Sequence, residues 1–346
     1  MPGLRAPFCL NAAMKSTDPR LPVTLLTGFL GSGKTTLLNR ILQEAHGQRI
    51  AVIENEFGEV GVDNDLLLES QEQIVEMNNG CICCTVRGDL VRILGELAAK
   101  RQGGELHFDR VLIETTGLAD PGPVAQTFLA EPAVAAAYRL DAILTLVDAR
   151  HAMAQLDQHP QAQEQVGFAD RLLLTKTDLV SDVEKAALLA RLVDINGRAA
   201  IYEAPRGQGV DLSALLDVHS FSLEAVLARE PDFLASTHHH HHQDAIGSFA
   251  FVTHGEFDAA RVDEFLGALV QVYGDDMLRY KGVLAVAGQD RQVILQGVHQ
   301  LAATDLGRPW GHNEARESRL VFIGRQLPRE IFEKGLRQCL ARSWAS

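Results

Sequence analysis

A chain of 346 residues is longer than a single hydrophobic core usually sustains, so two domains are expected. Hydrophobic residues at 46% and charged residues at 22% suit a folded globular protein, and no apolar run is long enough to span a bilayer. A formal net charge of −13 argues against general binding to nucleic-acid backbones, and five cysteines, odd in number and mostly clustered, argue for a reducing cytoplasm rather than a disulfide framework.

Residues 1–20 read as a loose extension, too weakly apolar for a secretory signal. "PVTLLTGFLGSGKTTLLNRILQEA" then reads as a buried strand, a glycine loop and a helix. Short apolar runs follow: "RIAVIEN" (49–55), "DRVLIETTG" (109–117), "DAILTLVDA" (141–149), "DRLLLTKTD" (170–178) and "AAIYEA" (199–204). Most are continuously apolar, as strands buried on both faces are. "LVRILGELAAKRQ" and "SDVEKAALLARLVDING" have helical spacing, the second closing on Gly197. Strand and helix in alternation predict an α/β domain with a mainly parallel sheet over residues 21–217.

Residues 218–245, with the run His238 to His242, are polar and aperiodic and read as a linker. The histidines either serve as an accessory site that loads metal weakly or do nothing beyond linking. Residues 246–346 predict a small α+β domain: an alternating strand in "SFAFVTHGEFD", a helix in "AARVDEFLGALVQVYG", and strands in "LRYKGVLAVAG", "QVILQGV" and "RLVFIGRQL". A helix opened by proline, "PREIFEKGLRQCLARS", ends the chain.

"GFLGSGKT" (28–35) fits G-x-x-x-x-G-K-[ST] between a strand and a helix, the context that motif requires. Gly28, Gly31 and Gly33 let backbone N–H groups face phosphates, with Ser32 and Thr36 flanking them; Lys34 reaches the β- and γ-phosphates, and Thr35 offers its hydroxyl to Mg²⁺. "TKTD" has the N/T-K-x-D form that reads guanine. Asp178 accepts from guanine N1–H and the exocyclic amino group, the Lys176 stem packs on the ring, and Thr175 stands where asparagine is commoner. In "ETTG", Gly117 is expected beside the γ-phosphate and Glu114 near the metal or attacking water.

Taken together, "LLTGFLGSGKTTLLNRIL", "AVIENEFGEVGVD", "NNGCICC", "IETTGLADPGP" and "LLLTKTD" resemble the CobW/YjiA-type P-loop GTPases, most of all the YjiA branch. "LLRYKGVL", "LQGVHQL", "DLGRPWG" and "LVFIGRQL" resemble the CobW C-terminal domain. The resemblance spans about residues 21 to 342. It implies a P-loop NTPase domain followed by a CobW C-terminal domain, slow GTP hydrolysis, and the handling of zinc or another transition metal on behalf of a client metalloprotein. Self-association is compatible with that family, and neither nucleic acid nor membrane is an expected partner.

The family's C-x-C-C signature falls on Cys81, Cys83 and Cys84. Three thiolates suit Zn²⁺, Co²⁺ or another borderline-soft ion such as Ni²⁺, and leave one tetrahedral position open, which suits delivery better than permanent structure. A disulfide between such close neighbours would be strained. The resemblance adds Glu54 and Glu59 as carboxylate ligands from "ENEFGEVGVD". Two other functions stay open at this point: a zinc store or sensor regulated by nucleotide, and a small-molecule P-loop kinase that would need neither TKTD nor the cysteines.

Overall fold

A computed structural model describes residues 19–44, 47–54, 74–76, 86–216, 218, 245–312 and 314–341. In chain order the elements of the first unit are β1 (Leu21–Gly28), α1 (Lys34–Gln43), β2 (Ile50–Glu54), β3 (Ile74–Glu76), α2 (Val86–Gln102), β4 (Arg110–Glu114), α3 (Gly122–Ala130), α4 (Pro132–Ala137), β5 (Tyr138–Asp148), α5 (Ala152–Gln158), α6 (Pro160–Phe168), β6 (Arg171–Thr175), α7 (Asp182–Asn196) and β7 (Ala200–Glu203). The second unit contains β8 (Ile246–Thr253), α8 (Ala259–Tyr273), β9 (Met277–Leu284), β10 (Arg291–Val298), β11 (Leu301–Pro309), β12 (Ser318–Arg325) and α9 (Arg329–Gln338).

The first sheet runs β3-β2-β4-β1-β5-β6-β7, and every pairing in it is parallel. Its central strands are mostly apolar because both faces are covered. Leu90 and Leu94 of α2, Val124 and Phe128 of α3, Val166 and Phe168 of α6 and Leu188 and Leu192 of α7 pack one face. Leu37, Leu38 and Ile41 of α1 pack the other, together with Ala204, Val210 and Leu215. Full burial of each such aliphatic side chain contributes roughly 1.5–3 kcal/mol of transfer free energy. The start of α7 is fixed by a capping box: Ser181 Oγ accepts from Glu184 N, and the Glu184 carboxylate accepts from Ser181 N at 2.8 Å. Below the sheet, at the amino ends of the strands, Arg110 and Asp141 form a wholly buried ion pair at 2.8 Å, and Arg110 also donates to Thr24 Oγ1.

The second sheet, β11-β10-β9-β12-β8, is antiparallel. Phe251, Tyr280 and Phe322 on one face pack with Phe332 and Leu336 of α9 and Val262 and Leu269 of α8. The other face, through Ala250, Leu278, Val321 and Ile323, joins the core of the first unit. β9 is therefore covered on both faces, and the charged Arg279 and Lys281 in it turn toward the first unit. Polar groups lock the junction. Arg279, 3% exposed, lies 2.7 Å from Asp170 Oδ1 and donates to the Phe168 carbonyl at 3.0 Å. Two strands were not expected from the sequence, β3 and the edge strand β11. β11 follows β10 through a two-residue turn in which His299 adopts a left-handed φ of 52°.

Candidate nucleotide and metal site

β1 lies between β4 and β5; the chain leaves β1 through α1 to β2 on the β4 side and later crosses from β4 to β5 on the other, and that reversal opens a crevice at the carboxyl end of β1. The glycine loop occupies it. Gly28, Gly31 and Gly33 have φ of 142°, 72° and 97°, values that L side chains rarely adopt. At Gly28 a Cβ would stand 2.5 Å from the Leu146 carbonyl oxygen, so the loop also needs glycine to pass β5. Gly33 caps α1, whose N-terminus has no side-chain cap and no acidic residue in its first turn. An uncapped helix start of this kind presents N–H groups and a positive dipole end to an anion.

Lys34 folds back so that Nζ donates to the Gly28 carbonyl at 3.0 Å, closing the loop around the space where phosphates would sit. Thr35 is half-buried and Thr36 exposed on the first turn of α1. The residues present therefore fit a nucleotide phosphate chain with Mg²⁺ at Thr35. Ser32 differs from its neighbours: the residue is 1% exposed, and its N–H donates to the Phe29 carbonyl at 3.1 Å.

The TKTD segment is tied directly to this loop. Thr175, at the end of β6, donates from Oγ1 to the Ser32 carbonyl at 2.8 Å, so the hydroxyl at this position links the two loops. Lys176 sits in the left-handed region at φ 54°, and its ammonium lies 2.7 Å from Asp148 Oδ2. Asp148, 2% exposed at the end of β5, also meets His151 Nδ1 at 2.9 Å and accepts from Arg150 N. Burial alone would push the Asp148 carboxyl up, yet the hydrogen bonds from Lys176 and His151 hold it below its ordinary value. Asp178 follows in a short 3₁₀ turn with its carboxylate 41% exposed, and Arg206 stands off at 3.9 Å. Asp148 and His151 were not singled out in the sequence; the acidic residue closing "LTLVD" was the available signal.

Glu114 ends β4, half-buried, and the chain after it lies against the phosphate loop. Thr115 N donates to the Leu26 carbonyl, and Thr115 Oγ1 donates to Thr27 Oγ1 at 2.9 Å. Gly117 passes so close that a Cβ there would stand 2.7 Å from Leu30 N, which is why this position is glycine. Gln165 of α6, unremarked in the sequence, donates from Nε2 to the carbonyls of Gly117 at 3.2 Å and Ala119 at 3.1 Å.

Glu54 ends β2 and is half-buried. In the sheet register it is paired with Glu114 on β4 and with Glu76 on β3, and Glu114 is in turn paired with Leu26 on β1. Paired residues on parallel strands lie about 4.8 Å apart, so two glutamate positions adjoin at the carboxyl edge beside the phosphate-loop strand. Cys81, Cys83, Cys84, Glu59 and the run His238 to His242 lie outside the described residues, as does Cys9. Among the described residues no group of three or more His, Cys, Asp or Glu side chains is arranged to hold a metal ion. The described cysteine, Cys339, is free and buried, and burial pushes its thiol pKa up. No helix of the described residues is long and apolar enough to cross a membrane.

Comparison with known proteins agrees with this geometry. Residues 22–203 match the CobW/HypB/UreG nucleotide-binding domain, and residues 246–340 match the C-terminal domain of the cobalamin synthesis protein CobW. The chain is 45% identical over 311 residues to the zinc chaperone YjiA of Escherichia coli, covering 90% of this chain and 96% of that one. It is 36% identical over 357 residues to the zinc chaperone CobW of Pseudomonas aeruginosa, covering 94% and 93%. The crystal structure of the Zn(II)-bound YjiA GTPase from E. coli superposes with a TM-score of 0.75 at 39% identity, covering 93% of this chain and 99% of that one. The chain belongs to the CobW/HypB/UreG family of P-loop proteins and carries a CobW C-terminal domain.

Proposed function

We propose that this protein is a GTP-hydrolysing metal chaperone whose cargo is zinc, with Co²⁺ and Ni²⁺ as chemically acceptable substitutes. The relatives that carry the names zinc chaperone and GTPase support the coarse reading. The finer reading assigns the cargo to Cys81, Cys83 and Cys84 with Glu54 and Glu59, and the coupled reaction to GTP at the phosphate loop. Gly28, Gly31, Gly33 and Thr36 bind the phosphates through the loop and first helical turn, Lys34 neutralises the β/γ charge, and Gly117 meets the γ-phosphate. Thr35 would hold Mg²⁺, which when bound spreads the charge developing on the phosphates. Asp178 selects guanine, Lys176 covers the ring, and Thr175 holds the base loop to Ser32. Glu114 stands near the metal or the attacking water at the γ-phosphate. The intrinsic rate is expected to be slow.

The observation that carries this reading is the register of Glu54 with Glu114. One carboxylate assigned to cargo adjoins one assigned to the γ-phosphate, so a change of nucleotide state acts on the metal ligands over a single strand spacing. The cysteine segment belongs to the same region of chain: β3 ends at Glu76, five residues before Cys81, and α2 begins at Val86, two residues after Cys84. The client is a metalloprotein lacking its zinc, in a reducing cytoplasm that keeps the thiols available, and self-association is compatible with the scheme.

The test is transfer. Zinc-loaded protein is mixed with an apo-metalloprotein in Mg²⁺ and GTP, a non-hydrolysable GTP analogue, or GDP, and metal arrival is followed at the acceptor. Faster transfer with GTP than with GDP, lost in Lys34→Ala and reduced in Glu54→Ala, supports the chaperone. Equal transfer in all nucleotide states would make the protein a zinc store instead.

A further inference from the structure

Helix α6 touches three parts of the molecule at once. At its start, the ring of His159 faces Phe29 of the phosphate loop with centroids 4.7 Å apart. In its middle, Gln165, 1% exposed, holds the carbonyls of Gly117 and Ala119 with one amide nitrogen. The Gln165 main-chain carbonyl is itself fixed to the sheet by Thr145 Oγ1 at 2.9 Å. On the far side, Glu164 pairs with Arg325 of β12, and the Phe168 carbonyl accepts from Arg279 of β9. Gly167 leaves no slack: a Cβ there would stand 2.9 Å from Leu278 of β9 and 3.3 Å from Ile246 of β8.

We propose that Gln165 is the positioning residue for Gly117, and that α6 carries the nucleotide state from that contact to the C-terminal domain. The proposal rests on the GTPase reading above. An amide that donates to two carbonyls two residues apart fixes the path of the loop between them, so Gly117 cannot shift relative to α6 without breaking both bonds and stranding its own buried carbonyl. Movement of the loop toward a γ-phosphate therefore pulls α6. Packed against β8 and β9 without spare volume, α6 moves as a unit rather than deforming. A second contact runs parallel to the first. His299, in the turn between β10 and β11, lies 5.5 Å from the Phe168 ring, and its Nε2 lies 2.8 Å from where a Cβ of Gly122 would be, at the start of α3 just beyond the same loop.

The experiment uses the full chain with Mg²⁺. Calorimetry gives the affinities for GDP and a non-hydrolysable GTP analogue, and hydrogen–deuterium exchange compares β8, β9 and β12 in the two states. In the native protein, exchange in those strands is expected to differ by at least about 5-fold between states, the lower end of typical site coupling. Gln165→Met keeps the volume and removes both donors. It should reduce the difference to under about 2-fold and weaken the analogue by at least about 5-fold while GDP affinity holds. Should that variant fail to fold, Arg325→Met removes the pair with Glu164, one of the far-side contacts, and should reduce the exchange difference in β12 with both nucleotide affinities intact. Retention of the full difference in the variant overturns the proposal, as does a native protein that binds the analogue without any response in the second sheet. Failure to bind guanine nucleotides at all is a different result, which overturns the GTPase reading and this proposal with it.

Discussion

Replacing Asp178 by asparagine probes the base assignment at a single atom. The carboxylate is expected to accept from two guanine donors, N1–H and the exocyclic amino group. Asparagine keeps one acceptor oxygen, loses the charge and turns an N–H₂ toward the amino group. A hydrogen bond to a charged group contributes roughly 1.5–3 kcal/mol. Asp178 is 41% exposed before nucleotide arrives, and Arg206 at 3.9 Å, itself 84% exposed, is a weak competitor for it. Losing one charge-assisted bond therefore weakens GDP by about 10- to 150-fold, at 1.4 kcal/mol per decade. Xanthine carries a C2 carbonyl in place of the amino group and accepts from the introduced amide, so XDP should bind the variant better than GDP does. Calorimetry of GDP, XDP and ADP on both proteins, with circular dichroism to confirm an unchanged fold, measures all of this. A GDP affinity within about 3-fold of native, or a native protein that holds ADP as well as GDP, would overturn the guanine assignment of Asp178.

Three further outcomes are expected. Arg110→Met leaves Asp141 charged and buried, with Arg139 at 3.3 Å as its remaining ion-pair partner, so denaturant unfolding should show a loss near the lower end of the 3–5 kcal/mol range for breaking a buried pair, about 3 kcal/mol. Because the Asp148 carboxyl is held below its ordinary value of 3.8 in the folded state, it stabilises the fold above that pH and loses the contribution as pH falls through its folded pKa; Asp148→Asn should remove this part of the acid-unfolding curve followed by circular dichroism. Co²⁺ bound at neutral pH should give sulfur-to-metal charge-transfer absorption that Cys83→Ala or Cys84→Ala diminishes, and binding should weaken as pH drops further below the ordinary thiol pKa of about 8.5.

What the sequence disclosed follows burial and locality. Segments such as "IAVIE" and "RLLLT" are legible as strands because layers on both faces demand a run of consecutive apolar residues between the polar ends. β3 has only three residues, and β11 is an edge strand whose Asp305, Leu306 and Arg308 lie away from the core, so neither bears that pattern. The phosphate loop and TKTD are contiguous motifs and are read directly. Asp148 and Gln165 gain their roles from Lys176 and Gly117, which lie 28 and 48 residues away, so only the folded chain reveals them. The pairing of Glu54 with Glu114 is of the same kind: two strands distant in sequence acquire a shared edge through register alone.

In the proposed function, nucleotide and cargo are coupled across that edge. The most direct measurement of that coupling is a Zn²⁺ competition titration of the full chain, against a chelator of known affinity, in Mg²⁺ with a non-hydrolysable GTP analogue and again with GDP. Zinc affinities are expected to differ between the two states by about 5- to 150-fold, with saturating zinc shifting the preference for the analogue over GDP by the same factor. Identical zinc affinities in both states would contradict it.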